Sequence, residues 1–213
     1  MRVDDGGGAP TPPEAPAAGP SCGVDLSRPR SARVHEAVLA ATRALLAAGG
    51  LPAATVDAIS DRSGVSKATI YKHWPSRTAV AAEAFGLEMA DAIPAPRTGD
   101  GLEDLIDHVR RVSAFYASLA GTVFAQLIAA SVTDPHGAEY FREFFLTGRR
   151  KLVAGLWERG VAQGRLDPAV DVEVATDLLF GPLIFRLLSG HAPLTPENAE
   201  AIARAALAGL ILR

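Results

Sequence analysis

The feature that most constrains the fold is a run of alternating helix starts and stops from Thr55 to Arg77: Thr-Val-Asp-Ala-Ile-Ser-Asp-Arg-Ser-Gly-Val-Ser-Lys-Ala-Thr-Ile-Tyr-Lys-His-Trp-Pro-Ser-Arg. Thr55 is a good N-cap, and Asp57 sets a negative charge against the positive helix end, which predicts a short helix over 55–62. Ser63-Gly64-Val65 is the turn, and Gly64 can take the left-handed conformation at low cost. Ser66 caps a second short helix, predicted over 67–73, which Trp74-Pro75 stops. Ser76 caps a longer one, running through Val80 and Phe85 to about Met89. Two helices crossing at a steep angle need a small residue where they meet, which Ser60 supplies. Ile59, Val65 and Ile70 form the apolar contact. Such an arrangement projects the second helix into a major groove of DNA.

On that reading Ser66, Lys67, Ala68 and Thr69 occupy the leading end of the second helix. Lys67 can donate to guanine O6/N7 or to a phosphate, and the Thr69 methyl can touch a thymine methyl. Tyr71, Lys72 and His73 alternate aromatic and basic groups and are assigned mainly to phosphates. The helix starts at Thr55 and Ser76 offer free backbone N–H groups to phosphate oxygens. Trp74 reads as a core aromatic. The charge distribution agrees. Within 27–77, Arg28, Arg30, Arg33, Arg43, Arg62, Lys67, Lys72 and Arg77 face only Glu36, Asp57 and Asp61, whereas the whole chain has a net charge of −3. A basic head on an acidic body is the electrostatic footprint of a polyanion-binding module.

The rest of the chain is consistent with an all-α protein. Alanine and leucine abound, and no period-2 strand pattern is visible. Residues 1–26 are rich in Gly, Pro and Ala without periodicity and read as a disordered tail. Val34, Val38, Ala41, Leu45 and Ala48 then mark a first helix, ended by Gly49-Gly50. A breaker-rich link, 93–101, leads to the body. There Leu102, Leu105, Val109, Val112, Tyr116 and Leu119 form one stripe of a long helix, with further helices expected near 121–132, 137–163, 171–189 and 196–212. The domains are thus a tail over 1–26, a DNA-binding head over 27–77 and a body over 78–213, joined by the helix over 76–91. No uninterrupted apolar stretch suggests a membrane span. Cys22, the one cysteine, excludes an internal disulfide and suits a reducing cytoplasm.

From about residue 31 to 85 the chain strongly resembles the tetracycline-repressor (TetR) family, most specifically in Gly64-Val-Ser-Lys-Ala-Thr-Ile-Tyr-Lys-His-Trp-Pro-Ser-Arg77. Ser60 and Ser63 stand where alanine is usual, Trp74 where phenylalanine is usual and Arg77 where lysine is usual. The serines fit if their hydroxyls bond preceding-turn carbonyls. The resemblance implies an all-α homodimer with an N-terminal helix-turn-helix head and a larger ligand-binding and dimerisation body. Carried over residue by residue, it makes Ser66 to Thr69 base readers, and Tyr71, Lys72, His73 and Arg77 backbone contacts.

Two sites are expected in the body. Residues 172–188 are apolar nearly all round, so the helix needs a second cover beyond its own chain. Leu179, Leu183 and Arg186, with Ala201, Ala205, Ala208 and Gly209 on the last helix, are assigned to a dimer interface, and Pro182 should kink or interrupt its helix. Leu105, His108, Val112, Tyr116, Phe124, Leu127, Trp157 and Phe180 are expected to surround an apolar ligand pocket, with Tyr116, Gln126 and His108 as its polar groups. Catalysis has no support. The histidines lack metal-ligand spacing, Gly6-Gly-Gly8 opens no helix, and Asp104 and Asp107 read as a solvated helix face. No cofactor or metal is expected. The expected function is a cytoplasmic, nucleoid-associated homodimeric repressor, released from a pseudo-palindromic double-stranded operator by a small apolar inducer. An activator, a ligand-independent regulator or a less specific DNA-organising protein are the alternatives.

Overall fold

A computed structural model describes residues 29–209, and every regular element among them is helical. The tail expected over 1–26, with Cys22, lies outside the described residues. Helix α1 (Pro29–Ala53) breaks at Gly49-Gly50, where Gly50 takes φ +68°. Helices α2 (Val56–Ser63) and α3 (Lys67–His73) follow, then α4 (Arg77–Ala92). Val38, Leu46, Ile59, Ile70 and Trp74 form the centre of the head, each at most 1% exposed. By length and hydropathy alone Ser31–Ala53 could cross a membrane; in the fold its apolar face is taken up by that core.

Helix α4 is the joint. Every residue from Thr78 to Gly86 is buried, because the helix packs on α1 in the head and on the body behind it. The body continues with α5 (Gly101–Tyr116), α6 (Leu119–Thr133), α7 (Pro135–Tyr140), a π-helical segment (Phe141–Thr147), α8 (Gly148–Ala162), α9 (Val172–Ser189) and α10 (Pro196–Ala208). Around α5 lie α8, α9 and α10.

Four expectations change here. The apolar stripe from Leu102 ends at Tyr116, not Leu119, because α5 and α6 meet at 86°. Ser118 makes the corner: its hydroxyl donates to the Phe115 carbonyl (2.6 Å) and accepts from the Ala120 N–H (3.2 Å). A Cβ at Gly121 would overlap the Tyr116 carbonyl, so only glycine admits this bend. Leu119 is left 60% exposed. The helix expected over 137–163 is interrupted by the π-helical segment, which buries Phe141 and Phe145. Helix α9 runs through Pro182 without interruption. Finally, Asp104 is no part of a solvated face. It is fully buried and accepts from Arg159 (2.7 Å) and from the Thr98 hydroxyl (2.6 Å), tying the 93–101 link to α5 and α8.

Candidate functional site

The head is built by capping. Thr55, Ser66 and Ser76 each take an extended conformation and accept a hydrogen bond from the N–H three residues on: Ala58 (3.1 Å), Thr69 (3.3 Å) and Ala79 (3.1 Å). Gly64 lies in the left-handed region at φ +69° and donates its N–H to the Ser60 carbonyl (3.0 Å). The serine hydroxyls do not bond preceding-turn carbonyls. Ser60 donates forward to the Val65 carbonyl (2.8 Å), and Ser63 accepts from the Val65 N–H (3.2 Å). The turn between α2 and α3 is thereby stitched by both serines. Ile59 and Ile70 are buried beneath it, with Val65 packed against them.

What α3 leaves outside is Ser66, Lys67, Ala68, Tyr71 and Lys72, with Arg77 exposed at the start of α4 and Thr69 half-buried. Lys67 forms an ion pair with Asp57 of α2, and the hydrogen bond to Asp57 raises its pKa. The ammonium is thus charged and held beside the leading end of α3. His73 departs from the expected set. Its ring packs toward Trp74 (centroids 5.5 Å apart), and its buried Nδ1 has no hydrogen-bond partner among the described residues. Burial lowers its pKa, so at neutral pH it offers a phosphate no charge.

The C-terminal end of α3 is braced from within. Trp74 Nε1 donates to Glu83 (2.6 Å), whose other oxygen lies 3.0 Å from His35 Nε2. The Tyr140 hydroxyl of α7 donates to the His73 carbonyl (3.0 Å). Gln126 also serves the junction of head and body and not a ligand: its carbonyl oxygen accepts from the Leu51 N–H (2.7 Å) at the end of α1.

The body forms a half-open cavity of about 340 Å³ between α4, α5, the π-helical segment, α8 and α9. Of the expected lining, Val112, Tyr116 and Phe180 border it, joined by Met89, Phe145, Leu146, Arg149, Arg150, Val153, Thr176, Asp177 and Ile184. Leu105, His108, Phe124 and Leu127 do not. They are buried behind it, with Phe124 stacked on Tyr116 at 4.7 Å and His108 edge-on to Phe180 at 5.9 Å. Burial lowers the His108 pKa to about 4. Trp157 belongs to a separate shallow groove with Val161 and Pro168. Arg149 is the residue sequence reasoning missed. From the first turn of α8 its guanidinium donates to the carbonyls of Met89 and of Ile93 (2.9 Å), at the C-terminal end of α4.

Comparison with known proteins agrees with this geometry. Residues 38–84 match the bacterial regulatory proteins of the tetR family, and residues 95–206 match the tetracyclin repressor-like C-terminal domain. The chain belongs to the TetR family. It is therefore a DNA-binding transcriptional regulator with a helix-turn-helix, not an enzyme. Its TetR-family relatives include the HTH-type transcriptional regulator YdeS of Bacillus subtilis, 41% identical over 76% of this chain and 81% of that one. An HTH-type regulator of Mycobacterium tuberculosis is 30% identical over 78% and 81%. Among solved structures, the TetR family transcription regulator SCO0332 superposes with a TM-score of 0.76 at 32% identity, covering 84% of this chain and 98% of that one. The flavonoid-responsive regulator FrrA does so with a TM-score of 0.59 at 28% identity, covering 84% and 95%.

One face of this TetR-family body is open. Leu179 and Leu183 are fully buried within the single chain, so they are core residues and not the interface residues expected of them. The side chains α9 turns outward are Val174, Leu178, Phe185 and Leu188, between 47% and 64% exposed. Ala201, Ala205, Ala208 and Gly209 are exposed on α10, and Arg186, half-buried, donates to the Pro193 carbonyl (3.2 Å).

Proposed function

We propose that this protein is a cytoplasmic, nucleoid-associated homodimeric repressor that reads a pseudo-palindromic operator through α3 and leaves it when a small ligand fills the body cavity. The observation that carries the DNA reading is the exposed Ser66–Lys67–Ala68 end of α3, with Tyr71, Lys72 and Arg77 beside it, on helices whose ends are all capped. Ser66 to Thr69 read base edges. Tyr71, Lys72, Arg77 and the N–H groups at Thr55 and Ser76 hold phosphates. The apolar row Val174, Leu178, Phe185 and Leu188, with the small exposed residues of α10, supports a two-fold interface.

Ligand response is supported by Arg149, which borders the cavity and also holds the last carbonyls of α4. Helix α4 begins at the DNA-facing Arg77 and is capped by Ile93, so a ligand that draws Arg149 away loosens the joint between body and head. To release DNA, the ligand must favour the altered head spacing by a few kcal/mol. FrrA is a flavonoid-responsive regulator, which supports a small organic effector for this chain. Footprinting on the DNA upstream of its own gene tests the reading. Two protected half-sites should lie about 34–36 Å apart or a multiple of that, and protection should fade when a cavity-binding compound is added. Uniform protection of all DNA would refute it.

A further inference from the structure

The charges around the cavity are paired unevenly. Its lining carries Arg149, Arg150 and Asp177. Arg150 is already neutralised, by Glu173 (2.6 Å) and by Asp177 (2.7 Å). Arg149 has no carboxylate partner among the described residues; its acceptors are the two α4 carbonyls. A guanidinium has five N–H donors, so three remain. Tyr116 stands near enough to interact electrostatically with Arg149. Its ring is 5% exposed and fixed by the stack on Phe124, and its hydroxyl has no hydrogen-bond partner among the described residues. Burial raises the Tyr116 pKa well above its ordinary value, so the phenol keeps its proton as a donor. Both groups line the cavity, so their free donors are open to a ligand there. The remaining lining is apolar, chiefly Met89, Val112, Phe145, Val153 and Phe180.

We propose that the cavity takes an amphipathic organic acid, its apolar body against these side chains and its carboxylate on the Arg149 guanidinium and the Tyr116 hydroxyl. The inference rests on reading the cavity as a ligand site. A carboxylate adds an opposite charge to the hydrogen bonds it accepts from the guanidinium, which the α4 carbonyls do not, so it competes with them for Arg149. A neutral ligand of the same shape offers these donors only an uncharged acceptor, and a cationic one offers none and is repelled by the guanidinium.

Calorimetric titration of the full chain with 2-naphthoate, 2-naphthylmethanol and 2-naphthylmethylamine tests it. The acid should bind at least tenfold tighter than the alcohol, with the amine weakest. Tyr116→Phe should weaken the acid more than the alcohol and so narrow the gap severalfold, and Arg149→Met should abolish it. If Arg149→Met fails to fold, the wild-type ranking and Tyr116→Phe decide. An alcohol or amine that matches the acid overturns the inference and leaves the ligand cavity standing, as does a gap that survives both substitutions. Failure of all three probes to bind overturns the cavity reading together with the inference. If the acid binds as expected but operator DNA is not released, the inference holds and the ligand-release reading fails.

Discussion

Leu183 and Phe185 stand two residues apart on α9, at 0% and 64% exposure, and truncating each should fail in a different way. Leu183→Ala empties part of the body core. It should lower unfolding free energy by about 2–5 kcal/mol, whether or not chains are associated. Phe185→Ala removes a ring already in water in the single chain. With a side-chain area of about 200 Å², its exposed 64% is roughly 130 Å², worth about 3 kcal/mol per chain if a partner covers it. A two-fold interface counts the change twice, giving a ceiling near 6 kcal/mol. Half of that is about a hundredfold in the dimer Kd. Sedimentation equilibrium and urea unfolding at two protein concentrations separate the effects. The wild-type midpoint should rise with concentration, and that dependence should weaken for Phe185→Ala and persist for Leu183→Ala. A Phe185→Ala chain that dimerises normally, or a stable but monomeric Leu183→Ala chain, would refute the assignment.

Four further outcomes follow from single residues. Asp57→Ala frees the Lys67 ammonium and removes a carboxylate from the DNA-facing side, so it should tighten DNA binding and steepen its salt dependence, read by fluorescence anisotropy. Gly64→Ala should cost about 1 kcal/mol for the left-handed backbone alone, since a Cβ there meets nothing. Gly50→Ala should cost more in thermal unfolding, because its Cβ also collides with Gln126. His108, with its pKa lowered from 6.5 to about 4, binds its proton more readily in the unfolded chain. Its contribution is complete above pH 6.5 and is lost as pH falls toward about 4, by up to roughly 3 kcal/mol, and His108→Leu should flatten that part of the stability profile.

The head was almost fully legible because its information is local. Caps at Thr55, Ser66 and Ser76 and the stop at Trp74-Pro75 act within a few residues, and α3 appears at the predicted bounds. The body's sites depend on contacts distant in sequence. The stripe from Leu102 places Val112 and Tyr116 at the cavity, but the same periodicity puts Leu105 behind it; only the depth of packing separates them. Apolarity all round α9 signalled two covers without telling which row faces the chain's own core, so Leu179 and Leu183 were assigned to the wrong side. Arg149 carried a sequence signal in Arg149-Arg150-Lys151 after Phe144-Phe145, but its acceptors are carbonyls more than fifty residues away on α4. His73 reads as a basic group beside Lys72, and only its packing toward Trp74 turns it inward.

The most direct test of the account is the affinity of the full chain and of its Lys67→Ala variant for the footprinted upstream sequence and for a scrambled duplex of equal length and composition, at one stated salt concentration. The account predicts that the wild-type chain prefers its own site by a thousandfold or more. Lys67→Ala should lose most of that preference while still binding both duplexes. Equal wild-type affinity for the two duplexes, or an unchanged preference in the variant, would contradict the assignment of α3 as the reading helix with Lys67 at its leading end.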